Sequence, residues 1–134
     1  MKIVFTCGVF DLYHIGHLNF LKESKSYGDI LITGVNTDEF TVSYKNKKPV
    51  IPFEQRIEII GSCKYVDVTV KAEELWPKKY MVEYNVDIIT VSSDWKCFDS
   101  ENLKWAVDNN IKIVYIDYTP NISTSYIIKT IKNL

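Results

Sequence analysis

Apolar and polar positions along the chain fall into blocks of two kinds. "KIVFTCG" (2–8) is a short apolar, β-rich run ending in glycine, the pattern of a strand covered on both faces. From His17 to about Tyr27, Leu18, Phe20 and Leu21 fall among polar residues, which predicts a helix. "GDILITGV" (28–35) predicts the second strand. Residues 41–52, "TVSYKNKKPVIP", carry a basic run and two prolines and predict a loop. "FEQRIEIIGSC" (53–63) returns to helical spacing, and "YVDVTV" (65–70) is again a strand pattern. A helix fits "PKKYMVEYN" (77–85), with Pro77 at an early helical position. Strands are expected at "VDIITVS" (86–92) and "IKIVYIDY" (111–118), with a helix near 100–109 between them. A last helix follows from Ser123, with Ser123 or its neighbour as cap.

Strands alternating with helices imply parallel pairing through right-handed crossovers. The expected fold is α/β: a Rossmann-like, doubly wound, open parallel five-stranded sheet with helices on both faces. Such sheets bind ligands beyond the carboxyl ends of their strands, at the switch point. "GVFDLYHIGH" sits at the carboxyl end of the first strand.

Composition narrows the function classes. With 134 residues and no repeat, linker or low-complexity tract, residues 1–134 are expected to form one domain. A net charge of −1 favours neither a nucleic acid nor an anionic membrane as partner. No 18-residue apolar run exists and the first residues lack signal-peptide character, so a cytoplasmic protein is expected. Cys7, Cys63 and Cys97 lack metal-ligand spacing and read as reduced thiols. There is no Ser–His–Asp arrangement, no phosphate-binding G-x-x-x-x-G-K-[ST] and no G-x-G-x-x-G.

The candidate chemistry lies in the two histidines of the chain, His14 and His17. Both fall where the first strand gives way to the first helix. Free N–H groups and the helix dipole there favour an anion, above all a phosphate. Gly8 and Gly16 let the backbone approach a ligand, and Asp11 offers a carboxylate for magnesium or for fixing a histidine or a backbone turn. Two imidazoles can donate to phosphate oxygens, more strongly as charge grows in a transition state. A metal pair would need a third or fourth ligand that no nearby Cys or His provides. Two satisfied structural histidines are the plain alternative, and the strand-to-helix position weighs against it.

"GVFDLYHIGHLNFLKESKSYGD" resembles the opening of the small bacterial cytidylyltransferases, the glycerol-3-phosphate cytidylyltransferase-like enzymes of the HxGH nucleotidyltransferase superfamily. The likeness continues through "VNTDEF", "EQRIEII", "KYVDVTV", "SSDW" and "TPNISTSYI", in order along nearly the whole chain. The resemblance implies transfer of CMP from CTP to a small phosphorylated acceptor with release of pyrophosphate. Glycerol 3-phosphate, giving CDP-glycerol for a wall or surface polymer, is the first expectation. Another polyol phosphate, phosphocholine, phosphoethanolamine or a phosphorylated amino-acid amide are alternatives, and an adenylyltransferase is a further one. It also implies Mg²⁺ as cofactor, carried on the phosphates with Asp11 as an additional ligand, and a homodimer.

Carried over by position, the resemblance makes His14, His17, Lys45 and Lys47 catalytic. Cys7, Gly8, Val9, Phe10, Asp11 and Gly16 would cradle nucleotide and phosphates. Arg56, Asp94, Trp95, Thr119, Ile122, Ser123 and Thr124 would complete that site. Asp38, Lys64 and Tyr118 would face the acceptor, with Trp76 as a further aromatic neighbour. This chain departs from the family pattern at Val9, where Thr is usual, at Asn121, where Gly is usual, and at Tyr118, where an Arg is expected. Fifteen of the sixteen basic residues are Lys, so Arg56 either marks a place where a planar fork is wanted or is the one arginine that composition leaves to fall somewhere.

Overall fold

A computed structural model of the chain describes residues 1–93 and 100–134. Asp94, Trp95 and Cys97 lie outside the described residues, and so do their expected roles.

Five strands form one parallel sheet: β1 (Ile3–Gly8), β2 (Ile30–Asn36), β3 (Val68–Ala72), β4 (Ile88–Ser92) and β5 (Lys112–Ile116). Their spatial order is β3-β2-β1-β4-β5. The chain winds outward from β1 through β2 to β3, then crosses back and winds outward through β4 to β5. The switch point therefore lies between β1 and β4, as the strand-and-helix alternation predicts.

Six helices complete the fold: α1 (Ile15–Ser26), α2 (Asp38–Lys45), α3 (Phe53–Gly61), α4 (Lys78–Glu83), α5 (Glu101–Asp108) and α6 (Thr124–Lys132). Neighbouring strand residues serve opposite faces. Val4 and Leu31 pack with Leu21 of α1 and Ile60 of α3 on one side. Phe5 and Ile32 pack with Met81 of α4 and Leu103 of α5 on the other. The continuous apolar runs in β1 and β2 are explained by these two covered faces. A buried polar contact joins the α1 face to the sheet: Ser24 Oγ lies 2.8 Å from Thr90 Oγ1 of β4. This contact fixes α1, and with it the histidine turn, against the switch point.

Three sequence expectations are corrected. The expected loop at 41–52 begins as helix. Thr37 Oγ1 accepts the Phe40 amide at 3.1 Å, Asp38 and Glu39 sit in the first turn, and Asn46 closes α2 with φ 55°. Only residues 46–52 are irregular. α1 starts at Ile15, ahead of the expected His17. β3 runs Val68–Ala72 rather than 65–70, because a turn closed by the Val66 amide on the Cys63 carbonyl occupies its expected start.

Candidate active site

β1 ends at Gly8, and the chain turns into α1 through two residues in the left-handed region, Phe10 (φ 54°) and Leu12 (φ 50°). Such backbone costs about 1–3 kcal/mol per residue and is retained where the surroundings over-determine it. Here the determinants are visible. The Phe10 ring tucks under Gly8, where a Cβ would come within 3.1 Å of it. Its other side meets His17 edge-on, with ring centroids 5.6 Å apart.

The two histidines cap α1 reciprocally. His14 Nδ1 accepts the Gly16 amide at 3.0 Å, and His17 Nδ1 accepts the His14 amide at 3.2 Å. Their rings stack with centroids 3.8 Å apart, and Tyr13 stacks on the far side of His17 at 5.8 Å. Each Nδ1 is an acceptor, so in the neutral rings the proton sits on Nε2, the nitrogen left for a ligand. Burial holds the His17 pKa down to about 4; the neighbouring His14 and Lys45 lower it further and Asp11 opposes. Burial also lowers His14. At neutral pH the site thus holds two uncharged Nε2–H donors side by side. Gly16 serves this pair directly, since a Cβ there would lie 2.8 Å from His14 Cε1.

Beyond this turn opens a cleft of about 560 Å³ at the carboxyl ends of β1, β4 and β5. The structure brings Cys7, Gly8, Val9, Phe10, Asp11, His14, Gly16, His17, Lys45, Lys47, Tyr118, Thr119, Ile122, Ser123 and Thr124 to its walls. Trp76 lies there too, as do Lys48, Asp117 and Ser125, which the sequence reading did not single out. Lys48 was legible as part of "KNKK". Ser125 follows from the N-terminus of α6, where Ser123 Oγ caps the Tyr126 amide at 3.0 Å. Asp117 carried no signal until the end of β5 was known.

Arg56, Asp38 and Lys64, expected at the nucleotide and the acceptor, are not among the residues that line the cleft. Arg56 is 1% exposed and its fork is committed to the protein. Nε donates to the Ile51 carbonyl (2.8 Å), Nη1 to the Val9 and Asn36 carbonyls (2.7 and 2.8 Å), and Nη2 to Asp38 Oδ1 (2.6 Å). The lone arginine does need a planar fork, but for backbone carbonyls. Lys64 is exposed, with its ammonium over the Tyr65 ring at 5.2 Å.

Asp11 also faces inward to the chain. Oδ1 accepts the Leu12 and Ile51 amides (3.1 and 2.9 Å), and Oδ2 accepts the Val50 amide (2.7 Å). Of its expected uses, magnesium, fixing a histidine and fixing a backbone turn, these hydrogen bonds are of the last kind. Among the described residues no group of three or more His, Cys, Asp or Glu side chains could hold a metal ion. Magnesium bound through the phosphates of a ligand would need no such group. Burial pushes the Cys7 thiol up to about 12, which disfavours the thiolate.

Chemically, the cleft joins neutral imidazole donors, three lysines and a helix N-terminus in one place. That set suits a polyphosphate whose charge grows during reaction.

A family described as cytidylyltransferase-like matches residues 5–130. The chain is 35% identical over 136 residues to Bifunctional protein HldE of Yersinia pestis (strain Pestoides F) and of Yersinia pseudotuberculosis serotype O:1b (strain IP 31758). The match takes in 98% of this chain and only 28% of each relative. Among solved structures, the lipopolysaccharide core biosynthesis protein from Thermoplasma volcanium GSS1 superposes with a TM-score of 0.72 at 32% identity, covering 89% of this chain and 97% of that one. A protein of unknown function from Archaeoglobus fulgidus shares the fold, with a TM-score of 0.62 at 20% identity over 92% and 94% of the two chains. Among the described residues no helix is long and apolar enough to cross a membrane.

Proposed function

Since the chain belongs to the cytidylyltransferase-like family, we propose that it transfers a nucleotidyl group from a nucleoside triphosphate to a small phosphorylated acceptor. CTP is the first donor and glycerol 3-phosphate the first acceptor, giving CDP-glycerol. The observation that carries this is the stacked, neutral His14–His17 pair facing the lysines and the start of α6 across one cleft.

An oxygen of the acceptor phosphate attacks the α-phosphorus in line, and the bond to the bridging oxygen breaks as pyrophosphate leaves. No covalent enzyme intermediate is needed. His14 and His17 donate from Nε2 to the α-phosphoryl oxygens as their charge grows, an effect of about 10²–10³ in rate per well-placed donor. Lys45 and Lys47 neutralise the phosphates, and the backbone amides of Thr124 and Ser125 at the head of α6 receive the leaving end. Mg²⁺ held on the triphosphate would supply further charge neutralisation beside these lysines. Holding both reactants in one cleft supplies the remaining advantage through orientation.

A second reading keeps the chemistry and changes the substrates. Tyr118 stands where the family pattern has an Arg, and the Thermoplasma volcanium neighbour is named for lipopolysaccharide core biosynthesis. The exchange favours a changed acceptor, and the neighbour's name favours one destined for a surface glycan, such as a sugar phosphate, with ATP as the alternative donor to CTP.

Pyrophosphate release tests the two together. CTP and ATP are each offered with Mg²⁺ and either glycerol 3-phosphate or a panel of sugar, choline and ethanolamine phosphates. Turnover with CTP and glycerol 3-phosphate supports the first reading. Turnover only with ATP or only with a sugar phosphate supports the second, and no turnover with any pair defeats nucleotidyl transfer to these classes.

A further inference from the structure

The lysines of the cleft lie on a segment whose two roots are both tied down. Residues 38–53 leave the sheet after β2, run through α2, and return through residues 46–52 to α3. At the outgoing root, Asp38 Oδ1 holds Arg56 Nη2 at 2.6 Å, and its Oδ2 accepts the Phe53 amide at 3.4 Å. At the returning root, Asp11 accepts the amides of Val50 and Ile51, while Arg56 takes the Ile51 carbonyl. Lys45, Lys47 and Lys48 stand exposed between these ties. From Asn46 to Val50 the chain can reach only about 14 Å, at roughly 3.5 Å per residue, so the ties set where the ammonium groups can go.

Asp11 belongs to the histidine turn. Its own carbonyl accepts the Thr124 hydroxyl at 2.8 Å, so the same residue also touches the head of α6. Three components of the proposed phosphate site meet at one side chain and its peptide. We propose that Asp11 is a positioning residue: its carboxylate straps the lysine segment to the histidine turn, and contacts neither metal nor nucleotide. The consequence for turnover rests on the nucleotidyl-transfer reading above; the strap itself does not.

Asp11→Asn tests this, because an amide nitrogen cannot accept the amides that a carboxylate oxygen accepts. In the full chain without nucleotide, trypsin cleavage after Lys45 and Lys47 should accelerate about tenfold, while cleavage elsewhere and the thermal midpoint stay near the parent values. Val50→Pro removes one donor and leaves the carboxylate in place, so it should accelerate the same two cleavages if Asp11→Asn fails to fold. Unchanged cleavage in either folded variant overturns the strap. In turnover, Asp11→Asn should raise KM for the triphosphate about as far as Lys47→Ala does. Adding it to Lys47→Ala should cost little more, with the magnesium dependence unchanged. Losses that multiply, or a shifted magnesium requirement, would make Asp11 a ligand contact and overturn the proposal. Proteolysis requires no turnover, so it decides the strap even in a chain that transfers no nucleotide.

Discussion

The two walls of the cleft are built differently. The wall at β1 is backed by a sealed, cross-linked layer: behind it Arg56, 1% exposed, joins Val9, Asn36, Ile51 and Asp38, and Asp11 ties residues 50 and 51. The wall at β5 and α6 is open. Tyr118 is 62% exposed, Asp117 is exposed beside it, and Asn121 turns the chain with φ 65°. Side-chain hydrogen bonds tie it to α1 and the histidine turn: Thr124 to the Asp11 carbonyl, and Asn19 to Thr119 Oγ1 at 3.0 Å. The departures from the family pattern sort accordingly. Tyr118 and Asn121 fall on the open wall. Val9 falls on the sealed one, but there it serves through its carbonyl, which any residue provides. On the proposed function, the histidine turn belongs to the rigid wall, and Tyr118 offers room for substrate choice to vary on the open one.

The contrast breaks first at His17. His17→Ala should lower kcat by at least about 10²–10³ while circular dichroism and the thermal midpoint show a folded chain. Pyrophosphate release at saturating triphosphate measures it, and a folded variant of ordinary rate would remove the histidines from the chemistry.

Arg56 comes next, in stability. Arg56→Ala leaves three carbonyls and the Asp38 carboxylate without their donor, at a cost of about 3–5 kcal/mol. Arg56→Lys should fall between, since an ammonium cannot reproduce the fork. Urea unfolding reads both; a loss below about 1 kcal/mol would mean the sealed wall is not held by this residue.

pH provides the third break. The His17 pKa is lowered in the folded chain, so between about 6.5 and 4 the unfolded chain binds the proton more readily. Stability is therefore intact above about 6.5 and declines as pH falls towards 4, by up to about 3 kcal/mol from this group. Burial of His14 acts in the same direction. Asp67 is separable. Burial opposes, but hydrogen bonds from Lys25 and the Leu31 amide hold its carboxyl below the usual range, so its contribution is lost only below about 4. Unfolding followed from pH 7 to 4.5 should flatten in His17→Gln; an unaltered slope would place the proton elsewhere.

Much of this was legible before any coordinates. The continuous apolar runs carried the parallel sheet, and the strand-to-helix position of "HIGH" carried the site. α2 was missed because the basic run and prolines of 46–52 outweighed its cap at Thr37 and the acidic first turn at Asp38 and Glu39. The bonds that Arg56 and Asp38 make within the chain were not legible, because a charged side chain looks the same in sequence whether its partner is a phosphate or a carbonyl. Only the chain path, bringing Val9, Asn36 and Ile51 around one guanidinium, separates the two.

The smallest effect sharpens the comparison most. Tyr118→Arg restores the cation of the family pattern on the open wall, where the side chain is mostly in water. Stability should move by no more than about 0.5 kcal/mol, as for other exposed positions, in contrast with the several kcal/mol expected at Arg56. Its effect should appear in selectivity. A new guanidinium beside Asp117 adds bidentate phosphate recognition at the edge of the cleft. KM for one of the two phosphorylated substrates should then fall by up to about tenfold, corresponding to ~1.4 kcal/mol, with kcat little altered. A fall in the KM of glycerol 3-phosphate alone would mark Tyr118 as the residue that tunes the acceptor. A fall in the KM of the triphosphate alone would assign this wall to the donor. A large loss of stability instead would show that the open wall is as much a part of the scaffold as the sealed one, and the distinction between them would fail.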